Sequence, residues 1–264
     1  MFGRSIVGSQ ITFHNVVNYG ARGDGKSDDS HLQGKIVAPQ RNEWAKGLQV
    51  DDKSSLILIS QVNSLRILGS GQINGFGSSW WNCPSCQRPK VIGFEQCNDL
   101  RVSYLSIIDS PRAHVTVDGC NNAVFSHINI HAPGDSPNTD GFDISASKYI
   151  TIQDSIIGTG DDCIAINGGS SFINATRIAC GPGHGISVGS LGRNREHDTV
   201  EEVYVRNCSF TNTQNGARIK TWKGGSGFAR KITYEKITLR KAFNPIIIDQ
   251  HYDYDGLKVL RTLD

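Results

Sequence analysis

Residues Phe142 to Val188 read FDISASKYITIQDSIIGTGDDCIAINGGSSFINATRIACGPGHGISV, and short apolar segments recur in them at nearly constant spacing. The segments are Phe142-Asp-Ile144, Ile164-Ala-Ile166 and Ile186-Ser-Val188. In each one, two apolar side chains flank a smaller or polar residue, as in a strand that buries one face. Their recurrence indicates a repeat protein.

The repeat continues on both sides of this stretch. Related segments are Ile92-Gly-Phe94, His114-Val-Thr-Val117, Arg218-Ile219 and Ile246-Ile-Ile248, and a second strand such as Tyr149-Ile-Thr-Ile152 or Val203-Tyr-Val205 follows each start. The period of about 22 to 32 residues lies in the range of solenoids. Short alternating strands separated by Gly, Asn and Ser fit neither leucine-rich nor helical repeats. They predict an all-β parallel β-helix, in which each coil buries its inward side chains on the coil before it.

Composition agrees with one large all-β domain over residues 1–264. The chain has 29 glycines and a single methionine, which favours turns and short strands over long helices. A net charge of +2 without a basic block gives no reason to expect nucleic acid or an anionic membrane as partner. No apolar run approaches the roughly 20 residues that a membrane span needs.

Seven cysteines (83, 86, 97, 120, 163, 180 and 208) are more typical of an oxidising compartment than of the cytosol. Their odd number leaves at least one thiol unpaired. Cys83-Pro-Ser-Cys86 has no second CxxC to complete a zinc site. Two sequons, at Asn174 and Asn207, are usable only after secretion. The first twenty residues lack the continuous apolar core of a secretory signal.

Polar residues occupy equivalent places in three successive repeats. Asp140, Asp162 and His184 each stand two residues before a strand of the repeat. Because coils stack about 4.8 Å apart, we expect these side chains to form a column on one outer face, with Asp161 beside it. A single Asp before a strand is more often a turn former, but three acids and a His in register indicate a site.

Two cations join this predicted column. Arg218 and Lys220 start the next strand and point to one face, because strand side chains alternate with period two. The insert Leu191 to Thr199 lengthens the intervening coil and could form the wall of a cleft. No Ser or Cys stands with a His and a carboxylate in the arrangement of an acyl-transfer enzyme.

This set of residue types suits glycoside hydrolysis. Clustered carboxylates repel, so one is held protonated near mildly acidic pH and can act as general acid. The ionised ones can activate water, and acid plus base across a glycosidic bond is the requirement for hydrolysis. Two neighbouring cations favour a substrate that carries carboxylates.

The sequence resembles the polygalacturonases, family 28 of the glycoside hydrolases, and the plant members most of all. The four motifs of that family are matched in order by Asn138-Thr-Asp140, Gly160-Asp-Asp162, Cys180-Gly-Pro-Gly-His-Gly-Ile-Ser-Val-Gly-Ser190 and Arg218-Ile-Lys220. The opening segment Asn15 to Gly25 and the segment Asn244 to Gln250, followed by Tyr252, are also similar. The resemblance covers most of residues 12 to 252.

The resemblance implies a single-stranded right-handed parallel β-helix, the pectin lyase-like solenoid. It implies a secreted monomer of the cell wall that hydrolyses α-1,4-galacturonosyl linkages in homogalacturonan (pectin) with inversion, without metal or organic cofactor. Asp161 would be the general acid, Asp140 and Asp162 would activate water, and His184 would support the protonation state of the acid.

The resemblance also implies residues that bind substrate and one disulfide. Arg218 and Lys220 would bind galacturonate carboxylates, and Asn138 and Tyr252 would line subsites. A disulfide between Cys163 and Cys180 would tie together the coils that carry Asp162 and His184.

The chain departs from the family at both ends. Between Ser30 and His31 the family has several dozen further residues, including a helix that caps the solenoid. Tyr252 is followed by Asp253 where plant relatives have Cys, and Leu257 to Asp264 does not resemble further coils. We therefore expect a domain with an incomplete cap around residues 30–31 and without its last coils after about residue 252.

Two alternative functions stay open at this point. A shortened polygalacturonase-like chain could be inactive or unstable and at most bind pectin. A calcium-dependent pectate lyase is the other, but the sequence has no calcium-type acid cluster and does have Gly183-His184-Gly185, which is foreign to that class. Endo or exo action and the preferred pectin methylation are not determined by the sequence.

Overall fold

The structure is a computed structural model that describes residues 2–6, 11–15, 34–44, 54–83 and 85–252. Most of the opening segment from Asn15 to Gly25, the junction at Ser30 and His31, and the chain after Tyr252 lie outside the described residues. The expectations of an incomplete cap and of missing last coils therefore stay predictions.

The described residues form 23 strands and little helix. The strands are β1 (Phe2–Ile6), β2 (Ile11–Asn15), β3 (Lys35–Val37), β4 (Ser55–Ser60), β5 (Arg66–Ile67), β6 (Gln72–Asn74), β7 (Lys90–Glu95), β8 (Asn98–Ser103), β9 (Ser106–Ile108), β10 (Val115–Asp118), β11 (Asn121–Ser126), β12 (Asn129–His131), β13 (Phe142–Ser145), β14 (Lys148–Gly158), β15 (Ile164–Ile166), β16 (Ser170–Cys180), β17 (Ile186–Leu191), β18 (His197–Arg206), β19 (Ser209–Thr211), β20 (Asn215–Trp222), β21 (Ser226–Glu235), β22 (Thr238–Arg240) and β23 (Asn244–Tyr252). The helices are α1 (Arg41–Trp44) and α2 (Ser78–Trp81), with a 3-10 turn at Arg193–Arg195. Neither of these helices is long enough to span a bilayer.

Parallel pairing between successive coils builds the fold. One sheet has eight strands in the order β23-β20-β17-β15-β13-β10-β7-β4, and a second has thirteen strands. Register is kept from coil to coil: Val115 pairs with Phe142, Phe142 with Ile164, and Ile164 with Ile186. The fold is the right-handed parallel β-helix that the repeat and the resemblance predict. Only β1 and β2 pair antiparallel among the described strands.

Each coil has three strands, whereas the sequence analysis found two. In one coil these are β10, β11 and β12, and the strand that was missed is the last, Asn129–His131. It buries only Ile130, so it carries no periodic signal. In the next coil the second and third strands run together as the eleven-residue β14, which turns its corner at Asp154 in a left-handed conformation (φ 52°).

The core is a set of stacked inward side chains. Phe94, Phe125 and Phe142 follow one another with ring centroids 5.6 and 5.3 Å apart, in edge-to-face contact. Ile166 and Val188 lie fully buried at one position in successive coils. Burial of each such aliphatic side chain contributes about 1.5–3 kcal/mol, so stacking stabilises every coil that has a neighbour on both sides.

The cysteines form two disulfides and leave three thiols. Cys163–Cys180, the pair that the resemblance implied, joins successive coils, and Cys83–Cys86 closes a short loop. The remaining thiols, which belong to Cys97, Cys120 and Cys208, are buried and unpaired. The odd count had required one unpaired thiol, and the structure has three.

Candidate active site

A hydrogen bond joins Asp161 to His184 beside the eight-stranded sheet. Oδ1 of Asp161 lies 3.0 Å from Nδ1 of His184, and the same oxygen accepts the backbone N–H of Asp162 at 2.8 Å. The two side chains are 19% and 34% exposed, so both can reach a ligand. The left-handed backbone at Gly185 (φ 102°) helps to direct the chain around His184, and only glycine adopts it without strain.

Asp162 lies beneath this pair and is completely buried. Its Oδ1 accepts the Ser187 hydroxyl at 2.6 Å and lies 3.6 Å from the Arg218 guanidinium, and its Oδ2 accepts the Lys220 ammonium at 2.7 Å. Ser187 and Arg218 are register partners at outward positions of the eight-stranded sheet, so Asp162 is covered on the outer side of that sheet and does not enter the core. Its charge is buried there because two cations and a hydroxyl from the two following coils bind it.

Asp140 is held by a buried histidine of the preceding coil. Nδ1 of His114 donates to the backbone carbonyl of Asp140 at 2.9 Å, and Nε2 accepts the backbone N–H of Ser110 at 3.3 Å. His114 is 0% exposed, and burial lowers its pKa to about 4. The ring is therefore neutral at the pH of most assays, with both nitrogens used to position Asp140.

The pKa values of two carboxyls move in opposite directions. Burial raises the pKa of Asp140 well above its ordinary value, and the charges of Asp161 and Asp162 raise it further. Burial also raises the pKa of Asp161, but the hydrogen bond and the charge of His184 outweigh this effect and lower it overall. If the carboxyls of the site hold one proton between them, Asp140 therefore binds that proton more tightly than Asp161 does.

The cations form a layer between the buried carboxylate and an aromatic ring. Arg218 and Lys220 lie with their charged atoms 5.5 and 5.3 Å from the ring centre of Tyr252. Their side chains are only 13% and 9% exposed. Burial lowers the pKa of Lys220, yet the charge of Asp162 more than compensates and raises it overall.

The aromatic layer continues towards the predicted insert. The rings of Tyr252 and Trp222 meet edge to face at 5.4 Å, and the guanidinium of Arg193 lies 5.6 Å from the ring centre of Trp222. Arg193 belongs to the 3-10 turn inside the insert Leu191 to Thr199. The insert thus reaches the cation layer through two aromatic rings.

Asn138 is fixed by an arginine from a distant loop. The guanidinium of Arg88, 8% exposed, donates to Oδ1 of Asn138 at 2.6 Å and to the backbone oxygens of Pro111 and Pro137 at 3.1 and 2.6 Å. Asn138 has a left-handed backbone (φ 54°). Its amide oxygen is therefore engaged within the protein, while the rest of the side chain is partly exposed.

Two motif segments are joined directly. The backbone N–H of Gly160 donates to the hydroxyl of Thr139 at 3.0 Å. A Cβ on Gly160 would collide with the backbone oxygen of Ser136, so this close approach requires glycine. The contact places the coil that carries Asp140 against the coil that carries Asp161.

The predicted site residues thus come together, with some unforeseen partners. Asp161, Asp162 and His184 approach one another within 4.8 Å, Arg218 and Lys220 bind Asp162, and Tyr252 covers both cations. The unforeseen residues are Ser187, His114 and Arg88. Ser187 is the outward residue between two inward ones, a signal that period-two alternation could have supplied. Arg88 follows an irregular loop and has no such signal.

A calcium ion fits this site poorly. Asp161, Asp162 and His184 each offer one ligand atom within 4.8 Å of the others. Calcium prefers six to eight oxygen ligands, whereas this group supplies two carboxylates and an imidazole. The ammonium of Lys220 already occupies the side of Asp162 that an ion would need. The arrangement is that of an acid–base site with bound cationic side chains.

The fold and the motif residues of this site match a known protein family. The profile of the glycosyl hydrolases family 28 matches residues 10–258, and the chain belongs to that family. It is 54% identical over 222 residues to a probable polygalacturonase of Arabidopsis thaliana. The aligned region covers 84% of this chain and 47% of the relative. It is 45% identical over 205 residues to a polygalacturonase of Malus domestica, covering 74% and 45%.

Solved structures show the same fold. An endo-xylogalacturonan hydrolase from Aspergillus tubingensis superposes with a TM-score of 0.77 at 28% identity, covering 86% of this chain and 63% of the other. A polygalacturonase from Erwinia carotovora ssp. carotovora superposes with a TM-score of 0.70 at 25% identity, covering 83% and 65%. The chain spans about half the length of the two plant relatives.

Proposed function

We propose that this chain hydrolyses α-1,4-galacturonosyl linkages in polygalacturonan, with inversion. The observation that carries the proposal is the Asp161–His184 pair beside the buried Asp162–Lys220 ion pair, at the positions of three of the four family motifs. Plant relatives that are named polygalacturonases support the choice of substrate. A cationic layer next to the carboxylates fits a polymer in which each sugar carries its own carboxylate.

Asp161 is the general acid in this proposal. A proton shared with His184 at 3.0 Å can reside on either partner, and the hydrogen bond and charge of His184 keep the pKa of Asp161 low. When the proton moves to Asp161, this partly exposed carboxyl can donate it to the leaving glycosidic oxygen. His184 then acts as the reservoir of the proton.

Asp140 and Asp162 activate the attacking water. Asp140 has a raised pKa, so it is a stronger base than an ordinary carboxylate once it has lost its proton. Asp162 is completely buried with both oxygens engaged, so in this proposal it acts on the attacking water through its negative charge and not by direct contact. Attack on the face opposite the leaving group inverts the anomeric centre.

Arg218 and Lys220 bind the substrate carboxylate in this proposal. Both cations share the single charge of Asp162, so a net positive charge remains on their layer. Tyr252 holds them in place and borders a sugar subsite together with Asn138. We also propose that the protein is secreted to the cell wall, where its substrate pectin is found.

The deciding experiment measures reducing-sugar release from polygalacturonic acid at about pH 5 with chelator present. The protein is first shown to be folded by a cooperative unfolding transition, and Asp161→Asn serves as the control. We expect release by the wild type and almost none by the variant. NMR of the first product formed should show the inverted anomer.

Other outcomes point to the alternatives. An unsaturated, ultraviolet-absorbing product that vanishes with chelator would make the chain a pectate lyase. Binding to polygalacturonate by a folded protein without any release would make it an inactive relative.

A further inference from the structure

A glycosylation sequon lies on the outer face of β16, on the thirteen-stranded sheet. Phe172, Asn174 and Thr176 face outwards, whereas Ile173 and Ala175 are 0% and 1% exposed in the core. Because side chains alternate along a strand, the acceptor amide, the hydroxyl and an aromatic ring two residues earlier all share one face. The catalytic groups belong to the other, eight-stranded sheet.

The two functional groups of the sequon are already in contact. The hydroxyl of Thr176 donates to Oδ1 of Asn174 at 2.8 Å. This bond turns the oxygen of the amide towards Thr176, so Nδ2, the atom that carries an N-linked sugar, lies on the opposite side of the planar group. Asn174 itself is exposed.

A groove between two aromatic rings begins at this amide. Tyr204 of β18 is the register partner of Asn174, and Phe172 precedes it on the same strand. The two rings are 45% and 42% exposed, and the groove has a volume of about 410 Å³, enough for a sugar ring.

The walls of this groove are held in place. Phe172 stacks on Tyr149 with a centroid distance of 4.7 Å and an interplanar angle of 11°. The hydroxyl of Tyr204 donates to Glu202 at 2.5 Å, and Glu202 in turn accepts the ammonium of Lys231 at 2.6 Å. Rigid aromatic walls cost little entropy when a ligand settles on them.

We propose that Asn174 carries an N-linked glycan whose first N-acetylglucosamine lies in the groove between Phe172 and Tyr204. The apolar face of a pyranose ring covers exposed aromatic surface, and removing that surface from water is favourable. The proposal rests on the passage through the secretory pathway that is part of the proposed function.

The modification is a substitution at the anomeric carbon. Nδ2 of Asn174 forms a bond to C1 of the sugar and loses one proton, while the bond from C1 to the pyrophosphate oxygen of a lipid-linked oligosaccharide breaks. The lipid pyrophosphate leaves with the electron pair. The donor belongs to the secretory compartment, and the fold accommodates the product because Asn174 points outwards.

The second sequon is a control within the same chain. Asn207 stands at a turn in the left-handed conformation (φ 56°), the middle residue Cys208 is 2% exposed, and the residue two before Asn207 is the buried Val205. No aromatic ring precedes it at the spacing of Phe172. A glycan at Asn207 would therefore lack a groove wall on its own strand.

The experiment directs the full chain into the secretory pathway of a yeast behind a cleavable leader. Peptides from the lumenal and secreted protein are treated with a glycosidase in heavy-oxygen water, which marks each occupied Asn as labelled Asp. We expect the label at Asn174, and none in Asn174→Gln. An unlabelled Asn174 in lumenal protein overturns the proposed modification.

A measurement of thermal stability tests whether the first sugar lies in the groove. After trimming to a single N-acetylglucosamine, we expect the Tm to exceed that of protein from bacteria by about 2–4 °C, the size of one favourable contact in a chain of this length. In Phe172→Ala the gain should vanish. An equal gain in Phe172→Ala and wild type overturns the seating in the groove. Hydrolysis by Asn174→Gln, assayed separately, should be unchanged, so the two proposals can fail independently.

Discussion

The inner coils and the last described coil place the same kind of residue in opposite environments. Ile166 in β15 and Val188 in β17 are fully buried. Ile248 in β23 occupies the same inward position two coils further on, through Ile219, and is 62% exposed. Ile246 is 74% exposed where its counterpart Ile186 is 0% exposed.

The difference shows that burial in this fold is supplied by neighbours and not by the residue itself. An inward side chain needs a coil on each side, and β23 has one neighbour among the described strands. Asp140, Asp161, Asp162 and His184 belong to inner coils, whereas Tyr252 belongs to the last one. The candidate acid–base groups therefore rest on coils that are covered on both sides, whereas Tyr252 of the candidate binding layer rests on a coil with one described neighbour.

The largest effect is expected at the acid of the inner coils. Asp161→Asn should lower kcat by about 10²–10⁴-fold, the usual contribution of a positioned proton donor, and leave the unfolding transition in place. Reducing-sugar assays and thermal unfolding on the same samples measure both. Asp118→Asn is the matched control, because Asp118 is exposed on the same sheet and its carboxylate accepts a single hydrogen bond from the described residues, that of the Ser145 hydroxyl. A variant with near-normal turnover would remove Asp161 from the role of acid.

The next largest effect is expected at the ion pair between Asp162 and Lys220, which joins two coils of the solenoid. Lys220→Met should destabilise the fold by about 3–5 kcal/mol, because it leaves the buried Asp162 without its closest cation. It should also raise KM for polygalacturonate. Urea unfolding and steady-state kinetics measure the two losses.

A surface pair of similar length supplies the control for this ion pair. Lys231 and Glu202 lie 2.6 Å apart, but Lys231 is 61% exposed. Lys231→Met should therefore leave stability and KM unchanged. Equal losses in Lys220→Met and Lys231→Met would show that burial of Asp162 does not decide the strength of its pair.

A third pair of variants tests the comparison directly. Ile166→Ala should cost about 2–5 kcal/mol of unfolding free energy, as core truncations do. Ile248→Ala at the equivalent position should change it by about 0.5 kcal/mol or less, as surface substitutions do. Urea unfolding of both variants measures the difference. If the two costs were equal, Ile248 would be covered in solution, by further chain or by a second copy.

The smallest effect is a shift of the pH profile. His184→Asn removes the charge that lowers the pKa of Asp161, so that pKa should rise. Asp161 then keeps its proton to higher pH, and the alkaline limb of kcat/KM should move upwards. The pH dependence of kcat/KM for wild type and variant measures this. A limb that stays in place or moves down would contradict the proton shared by Asp161 and His184.

The opposite pKa shifts of Asp161 and Asp140 make the stability of the fold depend on pH in opposite directions. Because the folded pKa of Asp161 lies below its unfolded value, this group stabilises the fold above the unfolded pKa and loses that contribution as the pH falls through the folded pKa. Asp140, with a raised pKa, stabilises the fold at low pH instead. Its contribution is lost as the pH rises towards the folded pKa.

Much of this structure can be predicted from the sequence, because residues one repeat apart in a solenoid lie next to one another in successive coils. The recurrence of Phe142, Ile164 and Ile186 predicted the parallel register, and the structure pairs these residues. The same spacing brought Asp162 and His184 into one cluster. The third strands of the coils, such as β12, were missed, since one buried side chain such as Ile130 leaves no period.

The sequence by itself determined the coil repeat, the family and which carboxylates, histidine and cations are the candidates for the site, because these depend on residue type and spacing along the chain. Only the tertiary structure decided that Asp162 is buried against Lys220, that His114 and Arg88 position Asp140 and Asn138, and that the pKa values of Asp140 and Asp161 diverge. Those facts depend on burial and on partners from other coils, and both exist only once the coils have stacked.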